Sequence, residues 1–163
     1  MAPRGAICTS SCQTQNRVLT GIYKRIYTVA NILAYGLGIA SPGTRFLVLR
    51  GEVEDYDCLL RGEDEEGVRL AGMQLKELPP EDLNPEVSLE SLLSRLARGP
   101  RTDASLVIRL NRTGDIPDER LTAIKVPYAE LWFLAALSPD GRRWRIFGDA
   151  LEQPRDFEFD YPA

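Results

Sequence analysis

Between about Thr14 and Tyr35, Val18, Ile22, Ile26, Ala30 and Leu33 return every three or four residues, with Leu19, Tyr23 and Tyr27 beside them. This spacing lays one wide apolar stripe along a helix of about six turns, which must be buried against another surface. Ser10 or Ser11 can cap its start, and Gly36 and Gly38 are expected to end it before the Ser41-Pro42-Gly43 loop. The stripe is read as core packing.

The following segments supply the partner surface. Arg45–Arg50 (RFLVLR) is a short apolar run with charged ends and reads as a strand. Asp57–Arg61 and Val68–Leu78 are β-like runs on either side of the polar, Gly-bounded stretch Gly62–Gly67, which predicts an antiparallel hairpin that Pro79 and Pro80 stop. Ser88 is the expected N-cap of a helix at Leu89–Arg98, closed by Gly99-Pro100. Ala104–Leu110 reads as a buried strand and Asp118–Lys125 as a short helix. Leu131–Leu137 and Arg143–Phe147 form a last hairpin around Ser138-Pro139-Asp140-Gly141. The tail Glu152–Ala163 is expected to lie on the surface. The predicted class is α/β: a central mixed sheet flanked by helices, in one domain over residues 1–163. Residues 1–13 are expected to be mobile, and 128–163 to be a C-terminal elaboration.

Composition narrows the chemistry. There is no histidine, which removes Ser-His-Asp and Cys-His nucleophile systems and zinc sites that need imidazole. Cys8, Cys12 and Cys58 are too few for a four-thiolate zinc site or a disulfide framework. Catalysis would have to run on carboxylates, amides, lysine, arginine, hydroxyls or a hard metal held by oxygen. No apolar run approaches the ~18 residues of a membrane span, and the polar N-terminus does not read as a signal peptide, so a cytoplasmic protein with reduced thiols and no membrane partner is expected.

Charge is unevenly placed. Residues 1–51 hold six bases and no acid, while the remainder holds all 24 acids against 14 bases. A basic helix carrying Arg17, Lys24 and Arg25 is a candidate footprint for nucleic acid, and a solvated helix face is the plain alternative. A basic helix and an acidic sheet can also pair between subunits, as in a homodimer. Trp132 and Trp144 read as core, and Arg142, Arg143 and Arg145 as phosphate contacts or a solvated turn.

One constellation suggests chemistry. If the hairpin folds near Glu65, Asp57 and Gln74 lie 8 and 9 residues from the turn and nearly face one another. Alternation along the strand puts Gln74 and Lys76 on one face, with Met73 and Leu75 on the other. A carboxylate, an amide oxygen and an ammonium group at one sheet end suit metal-assisted phosphodiester hydrolysis. The plain alternative is a solvated strand end with exposed pairs that contribute little.

Here the chain resembles the PD-(D/E)xK nuclease superfamily in its QxK variant, through Asp57 in EDYDCLLR and Gln74-Leu75-Lys76 in GMQLKEL. The resemblance spans about residues 14–110 and implies a restriction-endonuclease-like αβββαβ core. It implies Asp57, Gln74 and Lys76 as catalytic residues, Asp57 and Gln74 as ligands of Mg²⁺ (or Mn²⁺), and DNA as substrate. Two departures stand out: no glutamate precedes Glu52, and Gln74 replaces the commoner acid. Among Glu52, Glu54, Asp55 and Glu77, the further ligand is expected from Glu54 or Asp55. The rival expectations are a noncatalytic interaction or scaffold protein on the nuclease fold, and a noncatalytic nucleic-acid-binding module.

Overall fold

The computed structural model describes residues 10–50, 55–112, 123–152 and 154–162. A long helix α1 (Ser10–Ala40) leads into three strands, β1 (Arg45–Leu49), β2 (Cys58–Asp64) and β3 (Gly67–Leu78). Helix α2 (Leu89–Leu96) follows, and then β4 (Ser105–Leu110), β5 (Glu130–Ala136), β6 (Arg143–Gly148) and β7 (Arg155–Asp160). All seven strands form one mixed sheet whose spatial order is the sequence order. β1, β2 and β3 pair antiparallel, β4 and β5 continue parallel to β3, and β6 and β7 return antiparallel. The crossover through α2 is what a parallel β3–β4 step requires.

The central strands bury both faces, while Val68 and Leu70 of β3 stay exposed. On one face, Val29, Ala30, Ile32 and Leu33 of α1 pack against Leu60, Met73, Val107, Leu134, Ile146 and Phe159. On the other, Leu92 and Leu93 of α2 pack against Leu106, Ile108, Leu131 and Phe133. The predicted mixed sheet between helices is present. Among the described residues, no helix is long and apolar enough to cross a membrane.

Four local expectations are corrected. α1 does not stop at Gly36 and Gly38 but continues to Ala40. A Cβ at Gly36 would come within 2.5 Å of Ile146 Cδ1 and 2.6 Å of Phe159 Cε1, so this glycine permits close helix–sheet contact instead of terminating the helix. The β2–β3 hairpin turns at Glu65-Glu66, with Asp64 paired to Gly67, so the strands consume most of the expected loop. Asp57 is a bend just before β2 and not its first residue. The tail expected on the surface contains β7, whose Phe157 and Phe159 pack into the α1-side core. The short helix expected at Asp118–Lys125 lies mostly outside the described residues, and its last three residues have no helical structure.

The helix at Leu89 starts as its sequence dictates. Ser88 Oγ accepts from Ser91 N at 3.0 Å, and Ser91 Oγ accepts from Ser88 N at 3.1 Å. A serine thus takes the reciprocal role usually filled by Glu or Gln.

Cys58 opens β2 with no exposed surface, and burial, aided by the negative charge of Asp57, pushes its thiol up to about 12. The native thiol therefore stays protonated where the unfolded chain ionises, so its contribution to stability is whole below the ordinary value near 9 and declines as pH rises towards 12. At pH 8, iodoacetamide is expected to alkylate Cys58 on the order of 10³-fold more slowly in the folded protein than in urea, read by site-resolved mass spectrometry. Equal rates would contradict this burial.

Candidate functional site

The site is built at the end of β3 where β2 has run out. Cys58 is the first β2 residue paired across from Met73. One residue earlier, Asp57 N–H also donates to Met73 O at 2.8 Å, and Asp57 Oδ2 accepts from Leu75 N at 2.7 Å. The carboxylate thus stands where a strand carbonyl would have continued the ladder. This fixes its position and leaves Oδ1 for another partner.

Gln74 is held at both ends of its amide. Nε2 donates to the Asp55 carbonyl at 3.0 Å, and Oε1 accepts from Tyr128 Oη at 2.8 Å. A carbonyl can only accept, so the orientation of the amide is determined. Burial and the nearby charge of Asp57 raise the Tyr128 phenol above its ordinary value. Oε1 retains a second lone pair.

Lys76 lies two residues beyond Gln74 and is exposed. It shares the Gln74 face, because Met73 and Leu75 pack on the α1 side while Leu78 packs on the α2 side. Asp55 is adjacent and exposed. Glu77 points to the other face, where its Oε1 accepts from Asn111 Nδ2 at 2.9 Å. Glu54, like Glu52, lies outside the described residues. The fold therefore brings Asp55, Asp57, Gln74 and Tyr128 together, with Lys76 on the same side.

Sequence reasoning missed Tyr128, Arg95 and Arg101. A cleft of about 660 Å³ opens beside Gln74, and Asp55, Gln74, Tyr128, Arg95 and Arg101 are among the residues that line it. Tyr56 Oη donates to Asp103 Oδ1 at 2.5 Å, and both residues line the cleft. That hydrogen bond, with burial and the charges of Asp103 and Asp55, raises the Tyr56 phenol. Tyr128 is 54 residues from Gln74, and only the parallel placement of β5 brings it near.

The basic residues of α1 stand elsewhere. Lys24 and Arg25 are exposed on a helix that packs against the Met73 and Leu75 face, opposite Gln74 and Lys76. The Arg17 side chain lies outside the described residues. At the β5–β6 hairpin, Arg143 pairs with Glu158 at 2.6 Å and Arg145 with Asp156 at 2.6 Å, so these arginines brace β7.

Could this site hold a hard cation? Among the described residues, no three His, Cys, Asp or Glu side chains are grouped to hold a metal ion. What is present is one oriented carboxylate oxygen on Asp57 and the remaining lone pair of Gln74 Oε1. Mg²⁺ is commonly bound through one or two carboxylates with water and substrate phosphate filling the rest, so these are donor types such an ion takes. They do not form a closed protein cage. Comparison of this chain with models of protein families, with curated proteins and with solved structures finds no match.

Proposed function

We propose that this protein is a small nuclease-like enzyme that hydrolyses DNA phosphodiesters with Mg²⁺ or Mn²⁺ at the Asp57–Gln74–Lys76 end of its sheet. One observation carries the reading: β2 ends so that the Asp57 carboxylate meets β3 at Leu75, between Gln74 and Lys76. The order α1-β1-β2-β3-α2-β4, with β4 parallel to β3, further supports a restriction-endonuclease-like core.

Asp57 and Gln74 would hold the cation. When bound, it supplies Lewis-acid polarisation of the phosphate and a water of lowered pKa. The protein's own groups do the rest. The Leu75 N–H fixes the Asp57 carboxylate, and Tyr128 with the Asp55 carbonyl fixes the Gln74 amide. Such supporting hydrogen bonds orient metal ligands before binding. Lys76 offsets charge that builds on the phosphorane and orients the attacking water.

Calorimetric titration with Mn²⁺ tests this reading. The parent is expected to bind with measurable heat, and Asp57→Asn, which can still accept from Leu75 N, to lose that heat without losing its fold. An absence of heat from both proteins would overturn the reading.

One observation favours a second reading. Both ends of the Gln74 amide are engaged within the protein and Asp57 supplies one carboxylate, an arrangement that also serves as a clamp for the β2 end. A noncatalytic interaction or scaffold protein on the same fold follows from that. It predicts no metal heat, and a fall in melting temperature for Gln74→Ala.

A further inference from the structure

We propose that the cleft between the end of β3 and the α2–β4 loop is a phosphate-binding site in which Arg95 and Arg101 hold the backbone of a DNA strand. The inference rests on reading the adjoining Asp57–Gln74–Lys76 end as a phosphodiester site, and it assigns the strand's path to residues outside that motif. The cleft of about 660 Å³ is lined by two arginines, Arg95 and Arg101, and two acids, Asp55 and Asp103. Gln74 comes from β3, Arg95 from α2 and Arg101 from the α2–β4 loop. Both arginines are exposed. A phosphodiester seated against the two guanidinium groups satisfies their charge.

Of the two acids that line the cleft, Asp103 accepts from Tyr56 Oη. Gly99 and Pro100 between the two arginines present no long side chain, so a sugar-phosphate chain can approach the backbone there. Arg95 also sits in the last turn of α2, where a cation favours the helix dipole. Arg101 lies on the loop beyond α2, so the dipole does not explain its place in the cleft. Lys24 and Arg25 of α1 are on the opposite face of the sheet, while Arg95 and Arg101 line this cleft together with Gln74.

The test is fluorescence anisotropy of a labelled 20-nucleotide single strand in EDTA, so that no cleavage occurs, over 50–200 mM salt. Arg95→Ala/Arg101→Ala is expected to bind roughly 10-fold or more weaker, with the slope of log K against log salt reduced by about 1.4. Arg95→Lys/Arg101→Lys, which keeps both charges, is expected to restore most of the slope. Lys24→Ala/Arg25→Ala is expected to change neither quantity by more than about a third of that. Unchanged binding by the Arg95/Arg101 variant overturns the inference, as does loss confined to the Lys24/Arg25 variant. Competition by inorganic phosphate at the same concentration as the oligonucleotide also overturns it, since that marks a simple anion site. Because no metal is present, failure here leaves the Mn²⁺ calorimetry untouched, and failure of that calorimetry leaves this binding measurable.

Discussion

Replacing Lys76 by alanine is expected to slow plasmid cleavage in Mg²⁺ by about 10²–10⁴-fold, the range a positioned proton-transfer or charge-stabilising group contributes. The melting temperature should barely move. Lys76 is exposed on β3, and surface substitutions of this kind stay within about 0.5 kcal/mol. This separation makes Lys76 a cleaner probe than Asp57 or Gln74, each of which also holds the β2 end in place. Lys76→Arg keeps the charge but presents a planar, more weakly hydrated group that does not give up its proton, so it should recover only part of the rate. Cleavage by Lys76→Ala within twofold of the parent would remove the lysine from the mechanism and favour the scaffold reading.

Truncating Phe133 to alanine is expected to cost about 3–5 kcal/mol, the usual loss when a buried aromatic becomes a cavity. Phe133 is 1% exposed in the middle of β5, among Leu92, Leu93, Leu106, Ile108 and Leu131, and its ring centroid is 6.2 Å from that of Phe147. The cavity would open under α2, the element that carries Arg95 and leads to Arg101. For a chain of this size the melting temperature should fall by roughly 6–20 °C. In urea the midpoint should drop with the slope unchanged, while Phe133→Leu, which refills much of the space, should lose less. A loss below ~1 kcal/mol would mean that this face of the sheet is not packed as described.

Much of this architecture could be read from residue spacing, and the failures have identifiable causes. The apolar periodicity of α1 and the Ser88 cap are local signals, and both elements form where those signals place them. The approach of Asp57 to β3 followed from counting residues on each side of one turn. Gly36 misled because a glycine's missing side chain serves a helix end and a tight packing contact equally well, and only the arrival of Ile146 and Phe159 decides between them. Glu152–Ala163, with its alternating acids and aromatics, reads as a surface segment. In the fold its alternation is the pattern of an edge strand, with Phe157 and Phe159 inward and Asp156 and Glu158 outward against Arg145 and Arg143. Tyr128 and the two cleft arginines were illegible because no local rule relates them to Gln74. The arginines arrive with the first parallel crossover, β3 to β4, and Tyr128 only with the second, β4 to β5.

The strand order has a consequence for how the chain comes to be folded. Because each strand lies beside the one made just before it, the sheet can grow from one edge during synthesis, and no strand waits unpaired for a neighbour encoded far downstream. α1 is the exception: Gly36 is translated early, and its partners Ile146 and Phe159 leave the ribosome on the order of ten seconds later. Until then, part of the helix's apolar stripe has no cover, so this interval is when a nascent chain is most exposed to chaperones and to aggregation.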